Sequence, residues 1–473
     1  MGLGPHHRSF PCRNMARGPG GRHPRKRGGS PMIRRLSSSP EDQKVVVRIL
    51  RNVSWVFSSQ VVTSLSGLVS MAAAARALGA ESVAIVALVE AYMRLASLFI
   101  HLEPWQAVMR FGSEALERGD TRRFRTLIGF STIVDVVLGL MAALLAFALA
   151  GLVAPWLNLE EHIELLQIAS LALAVSLRPT GIAVLRLFDR FDKLARLDAA
   201  TAIVRAIVSV IVAALGGGPA AFVGVIVVFS VADGALAYIL GRRVMADQLL
   251  PERADSPLQA IRENPGLLRM FFNSNAAVIL RQATQRLDVI LLATIVSPTA
   301  VGYYHIAKRS ALAGLRLGRP LAQAIYPELA RFAAARDEGR LSRFIFGMSG
   351  IFFLLLVIVV TPVLIWIEPI IVLIFTEDFR EAALVVGIQV SASAVLLAGV
   401  AIVPALLSTD QDVSLVLLRL SVTVLFFAVF WPMTVQFGAE GAAATHLLCN
   451  LIWLVSAGFI LRSALARRVM GTT

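Results

Sequence analysis

The chain has 473 residues, 57% hydrophobic and only 16% charged, with a mean hydropathy of +0.72 and a formal net charge of +14. Soluble domains carry about 25% charged residues, so this composition excludes an ordinary soluble enzyme, a disordered chain and a coiled coil. Two cysteines, Cys12 and Cys449, lie near opposite ends and imply neither a disulfide scaffold nor a metal cluster.

Residues 1–51 hold 12 Lys/Arg against 2 Asp/Glu, so most of the net charge sits at the N-terminus. Residues 1–45, rich in Gly and Pro around Arg25-Lys26-Arg27, have almost nothing to bury. They read as a disordered basic cytoplasmic tail that attracts anionic membrane lipids. Without a folded domain or interleaved aromatics, the basic run does not read as a nucleic-acid site.

Beyond the tail, apolar runs of about 20 residues recur, each long enough to cross a hydrocarbon layer about 30 Å thick. They predict twelve transmembrane helices, at about 53–75, 81–103, 126–151, 163–185, 199–215, 219–241, 270–294, 298–322, 345–367, 382–408, 413–431 and 438–461. With the N-terminus cytoplasmic, the tail and the connections on that side hold 33 Lys/Arg, whereas the other side holds Arg76 and Arg380. That asymmetry puts both termini in the cytoplasm. The longest outer connection, 368–381, contains the apolar stretch 370–375 and reads as an interfacial segment.

An offset of 218 residues lays segment 118–131 on segment 336–349, with five of fourteen positions identical and Asp120 facing Glu338. The same offset maps helix 1 on helix 7 and helix 2 on helix 8. The expected architecture is an all-α polytopic membrane protein of two pseudo-symmetric six-helix lobes, 46–241 and 270–473, joined by a cytoplasmic linker, 242–269, around a central cavity. Pro179 and Pro404 lie in corresponding helices of the two halves and are expected to bend them.

The predicted spans contain ten basic residues, and away from the span ends four acidic ones, Glu90, Asp135, Asp233 and Asp288. Each costs about 2.5–3.5 kcal/mol at a helix centre, so they should face protein or water. Arg178, Arg205, Arg316, Arg319 and Arg419 lie within reach of the cytoplasmic surface and are expected to snorkel. Arg94, Arg281, Lys308 and Arg309 lie near mid-depth, with Arg286 nearer the outer side. In helix 7, Arg281, Gln285 and Asp288 share a face, as His305, Arg309 and Arg316 do in helix 8; Glu90 and Arg94 are spaced to pair. The candidate cavity residues are Arg94, Arg281, Arg286, Lys308 and Arg309. An excess of guanidinium selects an anionic passenger, and its planar fork suits phosphate. Glu90 and Asp288 are candidates for coupling to Na⁺ or H⁺. The alternative is that Glu90–Arg94 and Arg281–Asp288 are ion pairs that only set helix packing. There is no phosphate loop, zinc-protease motif or metal-ligand spacing, and no catalytic constellation.

Five segments carry a family resemblance: Asn52-Val-Ser-Trp55; Ala75-Arg76-Ala-Leu-Gly79-Ala-Glu81; Gln285-Arg-Leu-Asp288-Val-Ile-Leu-Leu; Ala300-Val-Gly302-Tyr-Tyr304-His-Ile-Ala307; and Pro320-Leu-Ala-Gln323-Ala-Ile-Tyr326-Pro327. In this order and at these spans, the chain resembles a Wzx-type polysaccharide flippase of the multidrug/oligosaccharidyl-lipid/polysaccharide exporter superfamily over about residues 45–465. The resemblance implies a two-lobed protein of the bacterial inner membrane. It implies transfer of an undecaprenyl-pyrophosphate-linked oligosaccharide to the periplasmic leaflet, for cell-surface polysaccharide such as lipopolysaccharide or exopolysaccharide, with no cofactor. It further implies membrane lipids, a polysaccharide polymerase and glycosyltransferases as partners, and places Arg281, Arg286, Asp288 and Arg309 in a polar cavity. A drug/cation antiporter of the same fold and a membrane-embedded polymerase or ligase are the alternatives. The first would want unpaired carboxylates, and the second a long outer loop.

Overall fold

A computed structural model describes residues 40–100, 105–175, 177–249, 255–334, 338–409 and 411–470. Residues 1–49 and 50–473 form separate units. Most of the expected basic tail lies outside the described residues.

The described residues are helical, with no strand among them. In chain order the helices are α1 (Pro40–Ile100), α2 (Trp105–Glu117), α3 (Thr121–Val153), α4 (Ile163–Leu171), α5 (Arg178–Leu187), α6 (Phe191–Ala214) and α7 (Pro219–Gln248). Then follow α8 (Gln259–Glu263), α9 (Leu267–Ala293), α10 (Pro298–Ala334), α11 (Glu338–Ile365), α12 (Ile367–Ile374), α13 (Ala382–Ala398), α14 (Ile402–Ser408) and α15 (Asp412–Met470).

The twelve predicted spans fall on these helices in order. Two helices hold two spans each, bent at a glycine in a conformation that L side chains avoid: Gly79 in α1 (φ 73) and Gly438 in α15 (φ 60). Two spans are instead broken. The fourth divides into α4 and α5, and the tenth into α13 and α14, each interruption lying just ahead of a proline, Pro179 or Pro404. A proline removes the hydrogen bond to the residue four back and clashes with its carbonyl, which places both breaks where they occur. Among the described residues, eight helical stretches are long and apolar enough to cross a membrane, including the two double ones. The two spans missing from that set are α9 and α10, the most polar in the sequence. The chain is therefore an all-α polytopic membrane protein, whose helices α1–α7 and α9–α15 are named its first and second lobes.

The connections are more ordered than the sequence suggests. Segment 105–117 folds as an amphipathic helix that buries Ala107, Val108, Phe111, Gly112 and Ala115. Asp120 caps α3 by accepting from the Arg123 backbone N–H at 2.9 Å. The inter-lobe linker is bonded to the start of α3: Arg122 pairs with Asp255 at 2.9 Å, and Arg123 donates to Asn264 at 2.8 Å. The interfacial stretch at 370–375 forms most of α12, flanked by an exposed Trp366. Beyond it, Arg380 bonds Glu377 and Glu368, each at 2.5 Å, and its hydrogen bond holds the Glu377 carboxyl below the usual range.

The buried core differs between the two ends of the bundle. At the end away from the arginine-rich connections, one cluster joins both lobes. It draws on Ala84, Leu88, Ala146 and Leu166 from the first and Val289, Leu292, Tyr304 and Phe430 from the second. At the arginine-rich end the described residues form smaller clusters. Ile345, Leu406, Leu415 and Leu461 form one in the second lobe, and Val108, Phe124, Ile128 and Met245 form another in the first. Among the described residues, the start of α9 also packs on the first lobe there, through Leu267 and Phe271. A large shared core thus joins the lobes at one end, and smaller clusters stand at the other.

Gly302 permits the closed contact: a Cβ there would overlap the carbonyl oxygen of Ala80 at the bend of α1. Arg76 also crosses the lobes at this end, donating to the carbonyls of Leu373 and Ile374. Gly302→Ala is expected to destabilise the protein by about 1–3 kcal/mol through overpacking. Gly79→Ala should cost about 1–2 kcal/mol through its left-handed backbone. Gly314→Ala, with nothing within 4 Å of its Cβ position, should be neutral or stabilising. Thermal unfolding in detergent checks all three.

Candidate functional site

Glu90 sits three turns past the Gly79 bend, about 16 Å along the helix. Its carboxylate is buried, with 8% of the residue exposed. One oxygen, Oε1, accepts from Arg94 one turn on in α1, with Nε at 3.0 Å. The other, Oε2, accepts from Arg309 of α10, in the opposite lobe. A single carboxylate therefore holds one guanidinium from each lobe. Arg286 of α9 adds a second link, donating to the Arg94 carbonyl and, at 2.5 Å, to Gln282 Oε1. His305, one turn before Arg309, and Arg205 of α6 lie within the electrostatic field of the same three charged groups. The Arg94 side chain is 51% exposed, so the cluster is open on one side.

A second cluster lies within the second lobe. The Asp288 carboxylate is fully buried and surrounded by donors. Lys308 Nζ is at 2.5 Å, the Val289 N–H at 2.7 Å, the Tyr304 hydroxyl at 2.8 Å and His446 Nε2 at 3.0 Å. Tyr304 and Lys308 reach the same acid because they are one turn apart on α10. Beside this cluster is a cavity of about 120 Å³ with Lys308, Gln389, Ser393, Thr423, His446 and Asn450 among its lining residues.

The structure thus brings Glu90, Arg94 and Arg309 into direct contact, with Arg286 at their edge. It places Lys308 and Asp288 together in the adjoining cluster. The Arg281 side chain lies outside the described residues, as does that of Gln285. Among the described residues the two clusters hold four guanidinium groups (Arg94, Arg205, Arg286, Arg309) and one ammonium (Lys308) against two carboxylates. Pairing with Glu90 and Asp288 therefore leaves positive charge over. Such an array can accept a dianionic group through paired N–H donors.

Sequence reasoning missed Arg205, and the reason is a helix boundary. The span was expected to begin near residue 199, which put Arg205 close to the surface. In the structure α6 begins at Phe191, which carries Arg205 about 21 Å into the helix. Arg178, also expected to snorkel, instead bonds Asp198 at 2.8 Å and Asp233 inside the first lobe. His446 could have been noticed as the single histidine of the last spans. Among the described residues no group of three His, Cys, Asp or Glu side chains is placed to hold a metal ion.

The family of polysaccharide biosynthesis proteins matches residues 49–333. The chain is 27% identical over 342 residues to the Inner membrane protein YghQ of Escherichia coli (strain K12), covering 71% of this chain and 94% of that protein. Among solved structures it resembles the inward-facing conformation of a multidrug resistance MATE family transporter of the MOP superfamily. That match has a TM-score of 0.67 at 13% identity and covers 88% of this chain and 96% of the other. The outward-facing conformation of such a transporter matches with a TM-score of 0.56 at 14% identity over 89% and 96%. The Lipid II flippase MurJ in an inward closed conformation matches with a TM-score of 0.64 at 13% identity, covering 89% and 90%. With more than half its length matched, the chain belongs to the family of polysaccharide biosynthesis proteins and adopts the fold of the MOP superfamily transporters.

Proposed function

We propose that this protein moves a polyprenyl-pyrophosphate-linked oligosaccharide across the bacterial inner membrane, from the cytoplasmic to the periplasmic leaflet, by alternating access between its lobes. The arginine-rich end faces the cytoplasm, as the positive-inside rule requires, so a cleft opening at that end meets the side where such a lipid is made. The observation that carries the reading is the surplus of guanidinium around Glu90 at the junction of the lobes. A diphosphate entering the cleft offers Arg94 and Arg309 more oxygen acceptors than the shared carboxylate does, with Arg205, Arg286 and Lys308 contributing to the positive field. The glycan follows into the watered cleft, while the polyprenyl chain stays in lipid. Membership of a polysaccharide biosynthesis family and likeness to the fold of a lipid II flippase support this passenger. Glycosyltransferases upstream and a polymerase downstream are the partners such a step needs. A drug/cation antiporter would want free carboxylate in the cleft, and there Glu90 is already held by two arginines.

The test is translocation of lipid-linked oligosaccharide in proteoliposomes. Arg94→Ala combined with Arg309→Ala is expected to slow transfer at least about tenfold, since a hydrogen bond to a charged group is worth about 1.5–3 kcal/mol. Arg467→Ala, far from the cleft, should leave it unchanged. Undiminished transfer in the double variant would remove the proposed anion clamp.

Glu90→Gln provides a second check. Without the carboxylate, Arg94 and Arg309 repel one another across the lobe junction. The variant is expected to melt at a lower temperature than the parent in detergent, yet to gain more from added inorganic pyrophosphate. Equal pyrophosphate shifts in both proteins would contradict competition between Glu90 and an anion.

A further inference from the structure

The first lobe contains a polar site that the basic cleft does not use. On α3, Ser131 and Asp135 lie one turn apart and are fully buried. Facing them is Thr180, also fully buried, in the first turn of α5, just past the break in the fourth span. Asp135 Oδ2 accepts from the Thr180 backbone N–H at 3.1 Å, which is the capping bond expected at a restarted helix. Asp135 Oδ1 and Ser131 Oγ are buried and have no hydrogen-bond partner, and the Thr180 hydroxyl lies against the same carboxyl.

The surrounding charges leave the acid uncompensated. Among the described residues no ion pair reaches Asp135. The basic group nearest in the chain to Thr180 is Arg178, and it is bonded to Asp198 of α6 and Asp233 of α7. Glu90 and Asp288, by contrast, have their oxygens taken by basic side chains. The break in the fourth span supplies more oxygen close by. Gly139, one turn beyond Asp135, lets the backbone of residues 173 and 174 approach α3, so that a Cβ on it would lie 2.7 Å from the Leu173 carbonyl oxygen and 3.3 Å from that of Ala174.

We propose that Asp135, Ser131 and Thr180 form a sodium site at the broken fourth span of the first lobe. Buried polar atoms without partners mark the place of an ion or ordered water, and interrupted membrane helices bind Na⁺ through freed carbonyls and nearby side-chain oxygens. All the unpartnered groups here are oxygens, the ligands of hard cations. One carboxylate balances one monovalent charge; a divalent ion would leave a buried excess. A proton would neutralise Asp135 and be shared with one hydroxyl, whereas Na⁺ engages all three groups at once. Binding would fix the start of α5. Through Arg178 and Asp198 it would also steady α6, which carries Arg205. Coupling of this ion to transport rests on the proposed function, but binding does not.

The test uses the purified full chain in nanodiscs, titrated with NaCl against choline chloride at constant ionic strength. Radiolabelled Na⁺ binding and the melting temperature are both read. Saturable binding with a rise in melting temperature is expected, and KCl should not reproduce it. Asp135→Asn, which keeps an acceptor for the Thr180 N–H, should abolish the effect. Ser131→Ala and Thr180→Val, milder changes to the fold, should each weaken Na⁺ about tenfold. Unchanged Na⁺ affinity in Asp135→Asn or in both hydroxyl variants would overturn the proposal. So would the absence of a Na⁺ effect on the parent protein together with a protonated-carboxyl infrared band lost in Asp135→Asn, which would mark a proton site. No lipid-linked substrate enters these measurements, so their failure is separable from failure of the transport reading.

Discussion

The arrangement depends on positive charge held inside a bilayer with too few carboxylates to match it. Each intramembrane arginine or lysine costs about 2.5–3.5 kcal/mol unless it finds partners or water. Lys308 finds a dedicated partner in Asp288, itself closed in by Tyr304, His446 and a backbone N–H. Arg94 and Arg309 must share Glu90. Taking one partner from a buried ion pair typically costs about 3–5 kcal/mol, less here because Arg94 is half exposed. The shared acid is therefore a holding contact, and an anion with more oxygens can compete with it.

The position of that contact gives it mechanical meaning. Glu90 belongs to α1 and Arg309 to α10, so their bond spans the lobes beside the core they share. In the proposed cycle a diphosphate that draws both arginines away from Glu90 loosens one inter-lobe bond and makes another through itself. Loading and the angle between the lobes are then coupled by the same charges. The two broken spans, four and ten, and the glycine bends in α1 and α15 supply places where such a movement can be absorbed without unfolding a helix.

Much of this was legible in the sequence because the bilayer imposes a simple rule: about 20 apolar residues per span. The broken spans could be read from Pro179 and Pro404, and the polar faces from i, i+4 spacing on helices 7 and 8. The amphipathic helix α2 was overlooked, although Ala107, Val108, Phe111 and Ala115 recur at helical spacing. A search for long apolar runs does not register a short helix lying along the surface. Pairing was harder. Glu90 was matched to Arg94 by spacing, but its bond to Arg309 lies 219 residues away, and no local pattern encodes it. Asp288 was expected to share a face with Arg281, whose side chain lies outside the described residues. Its observed side-chain partners come from α10 and α15.

The most direct test is an experimental density map of the protein bound to a polyprenyl-pyrophosphate-linked glycan. The diphosphate should lie between the lobes, bonded to Arg94 and Arg309, with Glu90 released from at least one of them. A diphosphate bound elsewhere, with Glu90 still holding both arginines, would contradict the anion-receiving role assigned to the cleft.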